Sequence, residues 1–396
     1  MIALLISPIY ILLNIYIIRC ITKWLSAWHD ILSKKISEFI ICAVYALFAF
    51  SPLISFFAPP DIRFIHIIAA YWLGVVLYSL LFIAAFHLIG AISKKTAAAE
   101  RFVTAKHFRI FGAVCAAGIF SLCTYGVINA HTLRVTDYNI SINKSAGSLN
   151  GINAVLIADL HLGYSSGEKT VTETVEKINA RNPDIVFIAG DIFDNDFDAL
   201  ENPDKLAEIM KGIKSKYGVY ACYGNHDIDE KILAGFTFGG KSEEKKSDSR
   251  MDEWLKSAGI TLLRDEYVLI DNSFYVYGRP DYRKPGKNIK ERKAPEKITA
   301  SADMSKPFIV LDHEPHELKE LSDAGIDADF CGHTHDGQIF PMNILMKLIW
   351  ENPCGYLKKG NMHNIVTSGS GVFGPNMRIG TKAEICRIHI SFRHEG

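Results

Sequence analysis

The chain has 396 residues, and its 43 Lys and Arg balance 43 Asp and Glu, so the formal net charge is zero and gives no electrostatic basis for binding nucleic acid. A mean hydropathy of +0.12 is high for a soluble protein and indicates that part of the chain lies in lipid. No Cys-x-x-Cys spacing occurs among the eight cysteines, which disfavours a zinc finger and a disulfide framework.

Four apolar stretches near the N-terminus predict membrane-spanning helices. They contain no Asp, Glu, Lys or Arg, and they cover residues 2–18, 39–58, 64–92 and 110–130. At about 1.5 Å per residue, each is long enough, or nearly so, to cross the hydrocarbon core. Pro52 would kink the second stretch. The first stretch also has the length of a signal sequence, although no small-residue cleavage site follows it before Arg19.

Basic residues are unevenly distributed between these stretches. The first connection carries Arg19, Lys23, Lys34 and Lys35, whereas the second carries only Arg63. The third connection is also basic, and its residues are Lys94, Lys95, Arg101, Lys106 and Arg109. Because basic connections tend to stay in the cytoplasm, this pattern predicts that both termini, and with them the C-terminal domain, are extracytoplasmic.

The transmembrane region 1–130 is followed by a polar segment, 131–150, which is predicted to be a connector to a domain over residues 151–396. In that domain, apolar runs at 154–158, 185–189 and 308–311 lead directly into loops that begin with Asp or Gly. Such runs are typical of buried strands, and α/β sheets place ligand sites at strand ends. Alternating strand and helix signals predict an α/β layer arrangement.

Five short blocks of His, Asp and Asn occur in a fixed order along this domain. They are Asp-Leu-His at 159–161, Gly-Asp-Ile-Phe-Asp at 190–194, Gly-Asn-His-Asp at 224–227, Asp-His-Glu-Pro at 312–315 and Gly-His-Thr-His at 332–335. Each block alone is a weak signal, because a single one fits a surface turn equally well. Together they offer about eight oxygen and nitrogen donors, the amount of ligand that two adjacent metal ions need.

This order of blocks resembles the motifs of the calcineurin-like metallophosphoesterases. The segment from Ser370 to Pro375, with Arg378, is similar to the bacterial membrane-associated phosphodiesterases of that superfamily, and Asp336 departs from that branch, which usually has Gly there. The resemblance covers roughly residues 150–392. It implies two packed mixed β-sheets flanked by helices, and the apolar stretches predict four transmembrane helices before them.

The resemblance also implies a role for each residue in the blocks. The ligands that it implies for the first ion are Asp159, His161 and His335. The ligands that it implies for the second ion are Asn225, His313 and His333. Asp191 would bridge the two ions, which would supply hydroxide to attack a phosphoester. His226 would protonate or stabilise the leaving oxygen, and Asp194 would orient its ring.

These features predict a membrane-anchored dinuclear-metal phosphohydrolase that cleaves a phosphodiester or a pyrophosphate. Two His ligands on each ion suit Mn, Fe or Zn better than Mg. The expected partners are membrane lipid and a lipid-linked or cell-envelope phosphoester. The alternative is a catalytically silent metal-binding scaffold or receptor domain, which retention of Asp191, Asn225 and His226 disfavours. A transporter is disfavoured because the spans carry no charged residue.

Several features of the domain fit two interpretations each. The segment 228–250 fits a solvated loop or a lid over the site. Arg279 fits a solvated charge or a phosphate contact. Gly369, Gly371 and Gly374 fit an ordinary turn or a close approach of backbone to phosphate.

Overall fold

The computed structural model describes residues 2–93, 104–230, 232–233, 236–237, 248–286 and 289–393. The chain forms two compact units. The first unit comprises Met1–Ile128, Ile232–Phe238 and Gly374–Met377, and the second comprises Asn129–Lys231, Gly239–Phe373 and Arg378–Gly396.

The first unit is helical. Its helices are α1 (Ile2–Ser26), α2 (Lys35–Ala49), α3 (Ser51–Phe57), α4 (Arg63–Ser93) and α5 (Ala105–Ala130). Among the described residues, three helices are individually long and apolar enough to cross a membrane, and α2 and α3 would form a fourth, broken span with a bend of 41°. Pro52 lies in the first turn of α3, where its missing N–H is tolerated. Three residues of the basic third connection, Lys94, Lys95 and Arg101, lie outside the described residues.

Fourteen strands are present in the described residues. In chain order they are β1 (Leu133–Ile142), β2 (Gly151–Ile157), β3 (Ile185–Ala189), β4 (Val219–Cys222), β5 (Ile232–Leu233), β6 (Phe236–Thr237), β7 (Ile260–Leu262), β8 (Glu266–Ile270), β9 (Phe274–Gly278), β10 (Phe308–Leu311), β11 (Ala328–Cys331), β12 (Gly355–Lys359), β13 (Met362–Val366) and β14 (Ala383–Phe392).

Two six-stranded mixed sheets form the framework of the second unit. The first has the order β1-β14-β2-β3-β4-β7, and the second has the order β12-β13-β11-β10-β9-β8. Strands β2, β3, β4 and β7 run parallel to one another, as do β9, β10, β11 and β13. The antiparallel partners are β14 beside β2, β12 beside β13 and β8 beside β9.

The helices of the second unit, apart from the last of them, cover the outer faces of the sheets. They are α6 (Glu168–Asn179), α7 (Pro203–Lys211), α8 (Ser249–Ser257), α9 (Pro295–Ile298), α10 (Leu318–Asp323) and α11 (Met342–Ile349). Along β2 the side chains alternate: Ala154 and Leu156 pack between the sheets, whereas Val155 and Ile157 pack against α6, α7 and α8. On the far side of the second sheet, α9 and α10 cover a separate cluster. The predicted fold of two packed mixed sheets flanked by helices is confirmed.

The segment predicted to be a connector is a strand. All ten residues of β1 pair in parallel with β14, from Leu133 opposite Ala383 to Ile142 opposite Phe392. Its polar composition suggested a linker, but Val135 and Ile140 belong to a β-branched series that favours extended structure. The sheet therefore begins almost directly after α5, and half of the segment 131–150 that was expected to be a connector belongs to it.

Candidate metal centre

The site is built from loops at the carboxyl ends of parallel strands. Asp159 and Asp191 follow β2 and β3, neighbours in the first sheet, while His313 and His333 follow β10 and β11, neighbours in the second. Backbone hydrogen bonds join the loops in pairs: Asp159 N donates to Gly190 O at 3.0 Å, and Gly332 N donates to His313 O at 3.0 Å. The five blocks thus converge at one edge of the two sheets.

The first cluster of donor atoms consists of Asp159, His161 and His335. His335 Nε2 lies 3.1 Å from His161 Nε2 and 3.4 Å from Asp159 Oδ1. All three residues are almost completely buried. These are the residues that the resemblance implies for the first ion.

The second cluster consists of Asp191, His313 and His333, joined by Asn225. His313 Nε2 lies 3.0 Å from Asp191 Oδ2 and 3.2 Å from Asn225 Oδ1. His333 Nδ1 lies 2.8 Å from the same Asn225 oxygen and 3.2 Å from His313 Nε2. The structure therefore brings together the ligands that the resemblance implies for the second ion.

Asp191 lies between the two clusters. Its Oδ2 is 3.0 Å from His313 Nε2 and 3.8 Å from His161 Nε2. Its Oδ1 accepts a hydrogen bond of 2.7 Å from the backbone N–H of His226. One carboxylate oxygen is thus fixed by the backbone, and the other faces both clusters, which is the position that a bridging ligand requires.

His226 and His161 share one carboxylate. Asp194 Oδ1 is 3.4 Å from His226 Nδ1 and 3.3 Å from His161 Nδ1. Burial raises the pKa of Asp194, but hydrogen bonds from the two imidazoles outweigh it and hold the pKa well below its usual range. Asp194 is therefore an ionised group that can fix the orientation of both rings.

Five of the clustered residues adopt left-handed backbone conformations. They are Asp159, His161, Asp191, His333 and His335, with φ between 44° and 73°. For residues other than Gly, this region costs on the order of 1 kcal/mol each. Such strain persists where the surrounding structure fixes it, and it concentrates at functional sites.

Glycines allow the loops to approach one another closely. A Cβ at Gly224 would overlap Asp191 Oδ1, and one at Gly371 would overlap Leu160 O. Gly371 N also donates to Asp159 O at 2.8 Å. The sequence left open an ordinary turn or a close approach of backbone to phosphate. In the structure the backbone of Gly371 does approach closely, but its neighbour is the backbone of Asp159, a candidate ligand.

The donor chemistry fits divalent cations. His313 Nδ1 lies 2.8 Å from the carbonyl oxygen of Ala189, which can only accept, so Nδ1 carries a proton and Nε2, which faces Asp191 and Asn225, is the nitrogen that a metal could bind. Burial raises the pKa of Asp159 to about 6, and the negative charge of Asp191 adds to this while His313 opposes it. Burial, with the positive charge of His313, lowers the pKa of His333 to about 4. Carboxylate oxygens and imidazole lone pairs crowded in this way are stabilised by a shared cation.

Asp227 links two loops of the site by accepting hydrogen bonds from their backbones. Its Oδ1 accepts hydrogen bonds from the backbone of Ile192 at 2.8 Å and Phe193 at 2.9 Å, and its Oδ2 accepts one from Gly224 N at 2.7 Å. These bonds tie the loop that carries Asp191 to the loop that carries Asn225.

Three residues at the site were not assigned from the sequence. Glu314 Oε1 is 3.5 Å from His333 Nε2, and its place next to His313 in the same block was an available signal. The ring of Phe373 lies 4.8 Å from that of His335, and the ring of Trp350 lies 5.3 Å from that of His333. Phe373 lies in the segment from Ser370 to Pro375 that carries the resemblance, which was an available signal, whereas Trp350 has none in local spacing.

Arg279 matches neither of its two interpretations. Its side chain is completely buried and donates to Asp312 Oδ2 at 2.8 Å and to Glu317 Oε2 at 2.7 Å. Arg292 donates to the same two carboxylates at 2.9 Å and 2.7 Å. The four residues form a buried ion cluster beneath His313. Much of the 228–250 segment, which fits a solvated loop or a lid, lies outside the described residues, namely 231, 234–235 and 238–247.

Comparison with known proteins agrees with this geometry. A sequence model described as calcineurin-like phosphoesterase matches residues 152–337. A zebrafish (Danio rerio) transmembrane protein with a metallophosphoesterase domain is 30% identical over 336 residues, which cover 80% of this chain and 71% of the relative. The chain belongs to the calcineurin-like metallophosphoesterase family, and its fold and recognisable motifs are those of that family.

Two bacterial relatives are also similar. An uncharacterized metallophosphoesterase of Helicobacter pylori is 29% identical over 248 residues, covering 60% of this chain and 60% of the relative. A UDP-2,3-diacylglucosamine pyrophosphatase of Chlamydia trachomatis is 23% identical over 244 residues, covering 54% of this chain and 72% of the relative. The chain thus spans less than two thirds of the Helicobacter protein.

Proposed function

We propose that this chain is a membrane-anchored phosphohydrolase that uses two divalent metal ions to cleave a phosphodiester or a pyrophosphate. The observation that carries the proposal is the position of Asp191, whose Oδ2 lies 3.0 Å from the second cluster at His313 and 3.8 Å from the first at His161. A single carboxylate between two sets of buried donors is what a pair of ions held roughly 3.5–4 Å apart needs.

The described residues divide naturally between two ions. Asp159, His161 and His335 would hold the first, and the second would be held by Asn225, His313 and His333, with Asp191 shared. Two bound divalent ions lower the pKa of a water and withdraw charge from phosphoryl oxygens. Because each set contains two imidazoles, Mn, Fe or Zn is favoured over Mg.

His226 would act on the leaving oxygen. Its Nδ1 lies 3.4 Å from Asp194 Oδ1, so the carboxylate would face an N–H at Nδ1 and stabilise the charged imidazole while remaining ionised itself. The N–H at Nε2 would then be available to the departing alkoxide or phosphate, as general acid catalysis requires.

A lipid-linked phosphoester or pyrophosphate is the proposed substrate class. The described residues include three, or with the bent pair four, helices of membrane-spanning length, which would anchor the catalytic unit to a membrane. The Chlamydia relative, named for pyrophosphatase activity on a diacylated UDP-sugar, supports the same class. The uneven basic residues around the spans support an extracytoplasmic catalytic unit.

The test uses purified full-length protein in detergent, loaded in turn with Mn, Fe, Zn or Mg. A panel of phosphomonoesters, bis(p-nitrophenyl) phosphate and UDP-2,3-diacylglucosamine would be offered to the native chain and to Asp191→Asn. We expect hydrolysis of the diester or the pyrophosphate by the native chain. The variant should lose activity and bind well below two metal ions per chain.

The matched control is Asp137→Asn, because Asp137 is an exposed carboxylate on β1 whose side chain is 64% accessible. It should retain both metals and full activity. Hydrolysis and metal content that survive in Asp191→Asn would refute the dinuclear site. Tight metal binding without turnover of any compound on the panel would support the scaffold alternative instead.

A further inference from the structure

Helix α11 exposes an apolar surface in the second unit. Leu348 is 80% exposed and Ile349 is 66% exposed, and no residue of the helix is buried. The other exposed large apolar side chains of this segment are Phe340, Met342, Ile344 and Leu345. A contiguous exposed surface of this kind normally marks a contact with a partner or a membrane.

The helical spacing places these side chains on adjacent rows. Met342, Leu345 and Ile349 follow one another at intervals of three and four residues, and Ile344 and Leu348 form the neighbouring row. Lys347 is the one charged residue between 339 and 350, and Trp350 caps the C-terminal end. An apolar face with a basic residue and a terminal Trp is typical of a helix that lies in the lipid–water interface.

Both ends of α11 are fixed to the metal centre. Four residues separate the start of the helix from the turn His335–Gly337, and Met342 N donates to Ile339 O at 2.8 Å. At the other end, the ring of Trp350 lies 5.3 Å from that of His333. The surface that α11 contacts is therefore held beside two of the candidate metal ligands.

We propose that α11 docks on the lipid bilayer and thereby presents the metal centre to phosphoesters that reside in the membrane. The bilayer is favoured as the occupant because the described part of the same chain has three or four helices of membrane-spanning length, so lipid is present at a high effective concentration. Lys347 adds attraction to anionic headgroups. The substrate half of the proposal rests on the proposed function, whereas the docking half does not.

Docking is tested by photocrosslinking of the full-length protein in liposomes of phosphatidylcholine and phosphatidylglycerol. Benzoylphenylalanine is placed at Leu348 or, as the control, at Glu176, an exposed position on α6. The expected result is a labelled-phospholipid adduct at 348 and none at 176. An adduct between two copies of the chain at 348, or the absence of a lipid adduct there, would overturn bilayer docking.

The substrate half is tested with Ile344→Asp/Leu348→Asp. Because two large apolar side chains are replaced by charges on the docking surface, hydrolysis of a phosphoester lipid in the bilayer should fall about tenfold or more. Hydrolysis of soluble bis(p-nitrophenyl) phosphate should stay within about twofold, which shows that the variant is folded. An equal loss on both substrates would overturn the role of α11 in presenting lipid.

Failure of the proposed function gives a different pattern. A native chain that hydrolyses neither compound would refute the phosphohydrolase while a lipid adduct at Leu348 would still support docking. Conversely, full activity on both compounds in the double variant would leave the hydrolase standing and overturn the role of α11.

Discussion

His161 and His335 face each other with their Nε2 atoms 3.1 Å apart. Two imidazole nitrogens that both present lone pairs repel at this distance, so the contact requires a proton or a cation between or beside them. Asp159 Oδ1 is 3.4 Å from the same His335 nitrogen, so an anionic oxygen completes the group. This arrangement is a reason to expect that removal of metal destabilises the loops that carry these residues.

The role of His226 can be separated from metal binding. His226→Ala should leave two metals bound but lower the rate by about 10²–10⁴ for a substrate with an alkoxide leaving group, which is roughly 3–5 kcal/mol of barrier. A nitrophenolate leaves without much help, so the deficit should shrink for nitrophenyl esters. The comparison of rates across leaving groups is the measurement.

His389→Ala is the matched control for this series, because His389 lies on β14, away from the five blocks, and is exposed. It should show wild-type rates throughout. If the deficit of His226→Ala is the same for good and poor leaving groups, His226 acts on the phosphoryl charge or on the metals, and the general-acid role is wrong.

Local sequence carried most of the information about the ligands. The apolar runs before Asp159, Asp191 and His313 are the strands β2, β3 and β10, and a strand end fixes where the next residue projects. Strand ends could therefore indicate that these loops share one edge, whereas the ligand sets came from the family resemblance, and neither could give the left-handed backbone that Asp159 and His333 adopt.

Features that depend on distant packing were not predictable in the same way. The polar composition of β1 concealed a strand whose partner, β14, lies some 250 residues later. Arg279 was interpreted as a solvated charge or a phosphate contact because its carboxylate partners, Asp312 and Glu317, lie more than thirty residues later in the chain. Phe373 and Trp350 reach the site only after the sheets have packed.

The orientation in the membrane is a prediction from charge. The positive-inside tendency places the connection between α1 and α2 in the cytoplasm and the catalytic unit outside. A reporter active only outside the cytoplasm, fused after Gly396 and expressed in a bacterial host, should be active. The same reporter fused after Ser33, in the connection between α1 and α2, should be inactive. The reverse pattern would place the metal centre in the cytoplasm and favour an intracellular lipid precursor.

Metal binding should release protons in a manner that depends on pH. Burial lowers the pKa of His313, but the negative charge of Asp191 outweighs it and raises the pKa well above the usual range. In the metal-free protein His313 therefore keeps its proton near neutral pH, and a metal must displace it. Apparent affinity should rise with pH up to the raised pKa and then level off.

Isothermal titration of the metal-stripped protein in buffers of different ionisation enthalpy counts these protons. Release should be largest near neutral pH and should decline in alkaline buffer, where His313 is already deprotonated. A proton count that is zero near neutral pH, or that does not change with pH, would contradict a protonated His313 in the metal-free site.

The buried ion cluster beneath His313 should be important for stability. Arg279 and Asp312 are both completely buried, and Arg279→Met would leave Asp312 with Arg292 alone while Glu317 loses one of its two partners. Removal of one member of a buried ion pair costs about 3–5 kcal/mol, and the remaining Arg292 favours the lower end of that range.

Arg250→Met is the control, because Arg250 is 48% exposed in its pairs with Asp198 and Asp248, and its loss should cost less than about 1 kcal/mol. Denaturant unfolding of the two variants in detergent, followed by tryptophan fluorescence, gives the two free energies. If the two variants lost equal free energies of unfolding, the buried contact between Arg279 and Asp312 would contribute no more to stability than the exposed contacts of Arg250.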